Sequence, residues 1–292
     1  MDEFLFMTHH AGGILDLLEL NPDHPGFLDE GYRKRRDHIA QLALQYRSGQ
    51  PIPQVEYTQE EHGVWNTITQ TLSPLHQEFA CAEILELQDV LSFPTDRVPQ
   101  LFEVNRTLQS LAGFRMEPVA GLVSSRNFLF YLGRRVFLST QYIRHHSKPF
   151  YTPEPDIVHE LIGHAATLTH PGIAELNRLL GMAVSIASDV EVESIARVYW
   201  YTLEFGLVRE RGSLKALGAG LLSSVEEIQR IQHAELRAWD LDVMKSTPYD
   251  PTSCQEFYFV APSFTRMLTD VSCWLRLGGW REGNTKPSFS KV

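Results

Sequence analysis

The sequence of 292 residues predicts a mainly α-helical fold with a minor β component, an α+β fold in one domain. Three observations lead to this prediction. Apolar residues recur at three- and four-residue spacing along most of the chain, which is typical of amphipathic helices. The stretch 117–151 is instead rich in β-branched and aromatic residues, so we expect short strands and a short helix there. No Gly-, Pro- or Ser-rich linker divides the chain.

The predicted elements follow one another with Gly and Pro between them. The first helix runs from Leu28 to Gly49, where the Gly- and Pro-rich segment 49–53 ends the apolar pattern. The aromatic run at 128–131 lies within the stretch that predicts strands. We expect further helices at 60–72, 75–91, 99–112, 157–169, 172–187, 190–206, 223–239 and 263–276, and a strand at 257–260.

Composition and charge argue against several classes of function. The net charge of −10 disfavours nucleic-acid binding, because phosphate contacts need clustered Lys and Arg. Cys81, Cys254 and Cys273 are widely spaced, so neither a disulfide framework nor a thiolate zinc site is expected. The acidic start differs from a secretory signal, and no apolar run approaches the ~20 residues of a membrane span. We therefore expect a cytoplasmic protein that binds neither nucleic acid nor membrane.

The segment from Pro153 to His164 carries the most informative pattern. Asp156 stands at the expected N-cap of a helix, where its carboxylate can accept backbone amide hydrogens. His159 and His164 follow, five residues apart, whereas the His-Glu-x-x-His signature of zinc peptidases places its histidines four apart. Residues five apart on an ideal α-helix diverge by ~140°. A shared metal therefore requires an irregular helix start or a local adjustment near Gly163.

Glu204 is the candidate third ligand. It lies in an apolar and aromatic segment, where an unpaired carboxylate is costly. Two imidazoles and one carboxylate on one face of a metal form the facial triad of non-haem Fe(II) oxygenases, which leaves positions open for dioxygen and a reductant. The spacing also fits a plainer interpretation, in which the histidines are surface or core residues and Glu204 pairs with Arg197. Spacing does not choose between these interpretations.

Several long blocks of sequence together resemble the catalytic domain of the biopterin-dependent aromatic amino acid hydroxylases. The blocks are 151–164 and 199–207 around the candidate ligands, with 23–27, 46–53, 118–126, 140–145, 218–224 and 258–261 elsewhere. They occur in the order of the family and cover roughly residues 21–265. We therefore expect a catalytic domain at 21–277, preceded by an N-terminal extension at 1–20 and followed by a flexible C-terminal tail at 278–292.

The resemblance also implies an activity, its cofactors and its site residues. A monooxygenase with Fe(II), a tetrahydropterin resembling tetrahydrobiopterin, and dioxygen as co-substrate would hydroxylate the ring of a free aromatic amino acid, with phenylalanine giving tyrosine. The matching iron ligands, which are also the catalytic residues, are His159, His164 and Glu204. The matching pterin residues are Val123, Ser125, Phe128, expected to stack on the ring, and Glu160. The matching substrate residues are Arg144 as clamp for the carboxylate, Thr152, Gly220 and Ser223 around the amino acid backbone, and Pro155, Trp200 and Phe205 as pocket walls.

Some of these residues also have a purely structural interpretation. Ser223 and Ser224 are suited to cap the helix that begins there. Phe128 and Trp200 are of the type that usually fills a core. Arg144 would contribute little if it formed only a surface ion pair.

Two further contacts are expected around the site. Asp156 is a candidate partner for a ligand histidine, in addition to its place at the helix start. Glu154 is a candidate ion-pair partner for one of the basic residues Arg33, Arg35 and Arg36.

The identity of the substrate depends on a few positions. Tyrosine-specific members of the family carry His where this chain has Tyr151, and tryptophan-specific members carry Phe where it has Trp200, so both positions favour phenylalanine. Asp250 favours tyrosine instead, because an acidic residue near this loop is associated with that substrate. The segment 165–167 departs from the Val-Pro or Cys-Ala usual in the family, so meta rather than para hydroxylation is an alternative outcome.

Two other classes of function stay open. One is a zinc hydrolase that uses the same three ligands with Glu160 as general base. The other is a non-catalytic protein that binds an aromatic amino acid or a pterin. The short ends, which carry no heptads, predict a monomer or weak dimer.

Overall fold

The computed structural model describes residue 20, residues 22–251 and residues 253–283. Residues 1–19 of the predicted N-terminal extension and residues 284–292 of the predicted tail lie outside this part of the chain. The helices are α1 (Glu30–Gln45), α2 (Gln59–Phe79), α3 (Ala82–Leu91), α4 (Leu101–Ala112), α5 (Ser125–Gly133), α6 (Ala166–Leu168), α7 (Pro171–Val184), α8 (Asp189–Tyr199), α9 (Ala219–Leu222), α10 (Val225–Arg230), α11 (Leu241–Met244) and α12 (Phe264–Arg276). Two π-helical turns span His159–Ala165 and Trp200–Glu204, and the strands are β1 (Arg115–Pro118), β2 (Val136–Ser139), β3 (Leu207–Glu210), β4 (Ser213–Ala216), β5 (Glu235–Ala238) and β6 (Phe257–Ala261).

Helix α2 begins with a capping box and continues further than the sequence predicted. The Thr58 side chain accepts from the amide of Glu61, whose carboxylate accepts from the amide of Thr58. The break expected before Leu75 is wrong, because the helix continues through Pro74 to Phe79. The chain leaves the helix only at Ala80 and Cys81, where the amide of Cys81 donates to the carbonyl of Ala216. This pairing with the end of β4 sets the boundary.

The strands form two small sheets. Strands β1 and β2 pair in parallel, and the other four strands have the order β4-β3-β6-β5. The β3–β4 hairpin was not predicted; it turns through Arg211 and Gly212, whose φ angles of 49° and 86° suit a tight hairpin turn. The helix expected at 223–239 is wrong beyond residue 230, because Glu235–Ala238 pairs in parallel with Phe257–Ala261. Strand pairing here overrides a helical composition.

Helix α5 crosses α7 at a pair of glycines. A Cβ added to Gly181 would lie only 2.0 Å from the backbone nitrogen of Gly133, so no side chain fits between the two helices. The crossing fixes the position of α5, which carries Ser125 and Phe128, two of the predicted site residues.

The predicted α+β class is confirmed: about half of the described residues are helical, and the strands form two small sheets. Their main hydrophobic core is continuous from α2 to α12 and includes residues of both π-helical turns. Among the described helices, none combines the length and the apolar composition that a membrane span requires. Within the region predicted as tail, Trp280 is buried and its Nε1 donates to the carbonyl of Leu275.

Candidate metal centre and ligand cavity

The first π-helical turn resolves the five-residue spacing of the two histidines. In a π-helix the amide of residue i+5 bonds to the carbonyl of residue i, so residues five apart lie one above the other. The amide of Ala166 donates to the carbonyl of Leu161 in this pattern. The Nε2 atoms of His159 and His164 consequently lie 3.0 Å apart. The local adjustment predicted for this helix is confirmed.

The second π-helical turn brings Glu204 to the same place. It continues α8 without a break, and the amide of Phe205 donates to the carbonyl of Trp200 at 2.8 Å, again five residues back. The plainer interpretation of Glu204 as a partner of Arg197 is wrong. The guanidinium of Arg197 instead contacts Glu193 and the carbonyl of Lys245.

Three side chains converge in the geometry of a metal site. Glu204 Oε1 lies 3.3 Å from Nε2 of His159, and its Oε2 lies 3.0 Å from Nε2 of His164. Metal–ligand bonds of about 2.1 Å at right angles place adjacent ligand atoms about 3.0 Å apart. Two imidazoles and one carboxylate match the donor set that binds Fe(II) and leaves positions open. The residues present therefore fit a mononuclear iron.

Hydrogen bonding sets the tautomer of His159. The hydroxyl of Ser223 donates to the carbonyl of Ala219 at 2.8 Å, so its oxygen accepts the Nδ1 hydrogen of His159 at 2.9 Å. This arrangement leaves the Nε2 lone pair facing His164 and Glu204. The expected partner of the ligand histidine, Asp156, instead accepts from the backbone amide of His159 at 3.2 Å. The capping interpretation applies to Ser224, whose side chain accepts from the amide at the start of α10, and not to Ser223.

The electrostatics keep the donor atoms available. Burial lowers the pKa of His159 to about 4, although the Glu204 carboxylate opposes this effect. For Glu204, burial alone raises the pKa, but the neighbouring His164 and His159 lower it overall. A neutral imidazole and an ionised carboxylate are the forms that bind metal.

Arg144 is buried and fixed by Asp156. Its Nε and Nη2 lie 2.9 Å and 2.7 Å from the two carboxylate oxygens, and its backbone amide donates to the same carboxylate. Burial by itself raises the pKa of Asp156, but the charge of Arg144 and the hydrogen bonds together lower it overall. Nη1 of Arg144 has no partner among the described residues, and the side chain lines the ligand cavity. The interpretation of Arg144 as a surface ion pair is therefore wrong.

The expected ion pair of Glu154 is formed with Arg36. Nε and Nη2 of Arg36 lie 2.9 Å and 2.8 Å from the two carboxylate oxygens of Glu154. The Arg36 side chain is only 1% exposed and also packs over the ring of Tyr142. The pair attaches α1 to the segment that precedes the first π-helical turn.

All of the predicted site residues line one cavity of about 510 Å³. This volume lies in the usual range for a small-molecule site. The residues are His159, His164 and Glu204 for the metal, Val123, Ser125, Phe128 and Glu160 for the pterin, and Arg144, Thr152, Pro155, Trp200, Phe205, Gly220 and Ser223 for the substrate. The structure thus brings the whole predicted set together.

Three of the four predicted pterin residues lie on two elements of the cavity wall, and Val123 lies in the loop before α5. Ser125 and Phe128 come from α5, where the Phe128 ring meets the rings of Phe137 and Tyr199 edge-on. Glu160 lies in the first π-helical turn and accepts hydrogen bonds from the amide and hydroxyl of Thr140. Burial raises the pKa of Glu160 to about 8.

An aromatic wall includes a residue that the sequence did not assign to the site. The ring of Tyr249 stacks on Trp200, with centroids 4.2 Å apart and an interplanar angle of 13°. Trp200 also meets Phe205 at 4.7 Å, and its Nε1 donates to Gln255. The sequence gives no signal for Tyr249, because this residue lies in a loop far along the chain from Trp200.

Two further aromatic residues were also missed. Tyr199 and Phe137 line the cavity and pack against the ring of His164. Tyr199 precedes Glu204 by five residues, the same spacing as between His159 and His164. This spacing was a sequence signal that Tyr199 lies near the site. Phe137 lies on β2 and carries no such signal.

Residues 165–167, which differ from the usual sequence of the family, do not line the cavity. Neither Ala165 nor Ala166 is among its lining residues, and the hydroxyl of Thr167 donates to the carbonyl of His164. Asp250 does not line it either, and its carboxylate accepts from the hydroxyl of Ser253. Neither feature therefore shapes the wall directly.

The fold and the site define an α+β protein with a candidate mononuclear metal centre of two histidines and one carboxylate. Residues 13–276 match the family model of the biopterin-dependent aromatic amino acid hydroxylases. The chain belongs to this family.

Curated relatives and solved structures agree with this assignment. The chain is 48% identical over 252 residues to phenylalanine-4-hydroxylase of Bos taurus and 46% identical over 253 residues to tyrosine 3-monooxygenase of Mus musculus. These alignments cover 84% and 85% of this chain but only 56% and 51% of the relatives, so the chain spans about half of their length. Phenylalanine hydroxylase of Chromobacterium violaceum, with bound iron(III) and 7,8-dihydrobiopterin, superposes with a TM-score of 0.74 at 29% identity, covering 87% of this chain and 96% of that one. The apo enzyme of Colwellia psychrerythraea gives a TM-score of 0.70 at 27% identity, covering 78% and 93%.

Proposed function

We propose that this protein is a non-haem iron, tetrahydropterin-dependent monooxygenase that hydroxylates the ring of free L-phenylalanine. The observation that carries the proposal is the convergence of His159, His164 and Glu204, with ligand atoms 3.0–3.3 Å apart. Their cavity is lined by every residue that the family resemblance assigned to pterin and substrate. The bacterial relative with bound iron(III) and dihydrobiopterin supports the same pair of cofactors here.

The chain's own contribution is to position the reactants. Bound iron and tetrahydropterin supply the electrons and the dioxygen chemistry by which one oxygen atom enters the aromatic ring. His159, His164 and Glu204 would hold the iron and would leave coordination positions open. The hydrogen bond from His159 to Ser223 holds one of these side chains in the tautomer that binds metal.

Arg144 is suited to bind the carboxylate of the amino acid. Asp156 holds the guanidinium through two hydrogen bonds, so the planar group needs no reorientation when the substrate binds. With this end of the substrate fixed, Pro155, Trp200 and Phe205 enclose its ring near the metal. Holding the ring in a reactive position and excluding water are the means by which the protein accelerates the reaction.

The pterin is expected on the side of the cavity formed by α5. Phe128 offers a ring for stacking, and Val123 and Ser125 line the same wall. Glu160 offers a carboxyl group that Thr140 keeps in place.

Phenylalanine with para hydroxylation is the favoured substrate and outcome. Tyr151 and Trp200 both line the cavity and have the identities found in phenylalanine hydroxylases. Asp250, the residue that pointed to tyrosine, does not line it. Residues 165–167 leave the wall unchanged, which supports para over meta hydroxylation. Tyrosine is the second candidate, because the identity to a tyrosine 3-monooxygenase is nearly as high.

We also propose a cytoplasmic location and a monomer or weak dimer. Cys81, Cys254 and Cys273 are free, which suits a reducing compartment. Light scattering after size-exclusion chromatography should give the mass of one chain at micromolar concentration. A stable tetramer would contradict the proposed oligomeric state.

The test of the proposed activity is a comparison of three substrates. Iron-loaded protein and a tetrahydropterin are mixed with Phe, Tyr or Trp, and oxygen uptake is followed while products are separated against ortho, meta and para standards. We expect pterin-dependent conversion of Phe to para-tyrosine. The Glu204→Ala variant should lose both bound iron and product. The matched control is Glu193→Ala, because Glu193 is an exposed carboxylate on the preceding helix.

Other outcomes distinguish the alternatives. A meta-hydroxylated product would keep the class and overturn the regiochemistry, and preferred turnover of Tyr would overturn the substrate. Retained zinc, hydrolysis of amide or ester substrates and no pterin-dependent oxygen uptake would favour the zinc hydrolase. Tight binding of pterin or amino acid by iron-loaded protein without any product would favour the non-catalytic binding protein.

A further inference from the structure

A second group of metal-binding side chains lies outside the candidate iron site. Asp29, His145 and His146 each offer one ligand atom, and these atoms lie within 4.8 Å of one another. Asp29 is the N-cap residue of α1, whereas the two histidines lie in the loop after β2. We propose that these three residues bind a divalent transition-metal ion such as Zn²⁺, at a site independent of the candidate iron site.

His145 is a buried and oriented ligand. Its Nε2 lies 3.2 Å from Oδ2 of Asp29, and its Nδ1 lies 2.8 Å from the hydroxyl oxygen of Ser147. The rings of Tyr32 and His145 pack edge to face, with their centroids 4.9 Å apart. Oδ1 of Asp29 accepts from the amide of Tyr32, so Oδ2 is the oxygen left to an ion. Both donor atoms are therefore held in place by contacts on their far side.

The imidazole of His145 changes tautomer when an ion binds. Without the ion, the amide of Ser147 donates to Nδ1 at 3.2 Å, and the Nε2 hydrogen is donated to Asp29. With the ion bound to Nε2, the hydrogen moves to Nδ1 and is donated to the Ser147 hydroxyl.

His146 is held by a carboxylate in the manner of metal-binding histidines. Its Nδ1 lies 3.2 Å from Oε2 of Glu60, which can accept the Nδ1 hydrogen and leave the Nε2 lone pair for the ion. Its ring also lies beside that of His145, with centroids 4.2 Å apart. Donor groups from the start of α1 and the loop, supported by a carboxylate at the start of α2, thus meet in one place.

Charge and spacing both suit a divalent cation. No Lys or Arg within the described ranges forms an ion pair with Asp29 or Glu60, and the charged partner of each carboxylate there is a histidine. A divalent ion would supply the missing positive charge. Bonds of about 2.0 Å in a tetrahedral site place ligand atoms about 3.3 Å apart, close to the 3.2 Å between His145 and Asp29. Imidazole and carboxylate donors together select zinc, cobalt, nickel or copper rather than calcium or magnesium.

The test measures metal stoichiometry on the full chain. Iron-loaded wild-type protein is dialysed against micromolar Zn²⁺, and bound iron and zinc are determined by elemental analysis. We expect one zinc per chain in addition to iron. The His146→Ala variant should keep its iron and bind zinc on the order of 100-fold more weakly. The matched control is His38→Ala, since His38 is also exposed and lies outside the cluster; it should behave like the wild type.

A second pair of variants separates the two sites. His164→Ala removes a candidate iron ligand and should still bind one zinc, with a rise in melting temperature on zinc addition. The double variant His146→Ala with His164→Ala should bind none and show no rise. The proposal is overturned if iron-loaded wild-type protein binds no zinc in addition to its iron, or if zinc binding requires millimolar concentrations. It is also overturned if His146→Ala binds zinc as tightly as the wild type does.

Discussion

The close contact between α5 and α7 allows a test of whether helix packing affects ligand binding. A Cβ on Gly181 would lie 2.0 Å from the backbone nitrogen of Gly133 and 2.5 Å from the carbonyl oxygen of Leu129. Restoring an ordinary contact of 3.4 Å would separate the backbones by about 1.4 Å. Because both partners are backbone, no rotamer change relieves the clash. We expect Gly181→Ala to lower the free energy of unfolding by about 3 kcal/mol.

The same displacement should weaken pterin binding, because α5 carries Ser125 and Phe128. Denaturant unfolding measures the first effect, and titration of the folded variant with a tetrahydropterin measures the second. The control is Gly63→Ala in α2, where an added Cβ meets nothing within 4 Å. That variant should be more stable by about 0.5–1 kcal/mol, because Ala favours helix more than Gly does. A Gly181→Ala protein with unchanged stability and unchanged pterin affinity would refute this explanation of the crossing.

Three further perturbations have defined outcomes. Ser223→Ala removes the acceptor of the His159 Nδ1 hydrogen and should reduce iron affinity by about 10- to 100-fold, with little change in melting temperature. An unchanged iron affinity in a metal titration would argue against a role of Ser223 in orienting His159. Glu154→Lys places a like charge beside the buried Arg36 and should lower the free energy of unfolding by about 3–5 kcal/mol. Denaturant unfolding measures this loss, and a variant as stable as the wild type would show that the ion pair contributes nothing. Burial, and then the charge of Arg36, lowers the pKa of His24 from 6.5 to about 4. The unfolded chain therefore takes up this proton first, so stability present above pH 6.5 is lost as the pH falls toward 4. Between pH 7 and pH 5, the free energy of unfolding should fall by about 2 kcal/mol less in the His24→Asn variant than in the wild type. Equal losses in the two proteins would contradict the lowered pKa of His24.

The composition of the candidate site was largely predictable from sequence. Long blocks around His159, His164 and Glu204 carry the ligand set, and the structure brings their side chains to one point. The five-residue spacing already excluded a regular α-helical site, so it called for a local change in helix geometry. Two π-helical turns provide that change, which the periodicity of apolar residues alone does not reveal.

Contacts between distant segments account for what the sequence did not predict. Tyr249 reaches the wall of the cavity by stacking on Trp200, and Ser223 rather than Asp156 holds the imidazole of His159. The segment 235–238 has a helical composition but becomes a strand because it pairs with β6. Propensity describes a segment by itself, and such partners override it.

Labelled dioxygen gives the most direct test of the proposed chemistry. Iron-loaded protein, a tetrahydropterin and phenylalanine are allowed to react under ¹⁸O₂, and the amino acid product is analysed by mass spectrometry. We expect para-tyrosine with one ¹⁸O in its ring hydroxyl and no product when the tetrahydropterin is omitted. Hydroxyl oxygen derived from water, or no hydroxylated amino acid from protein shown to hold iron and pterin, would contradict the proposed function.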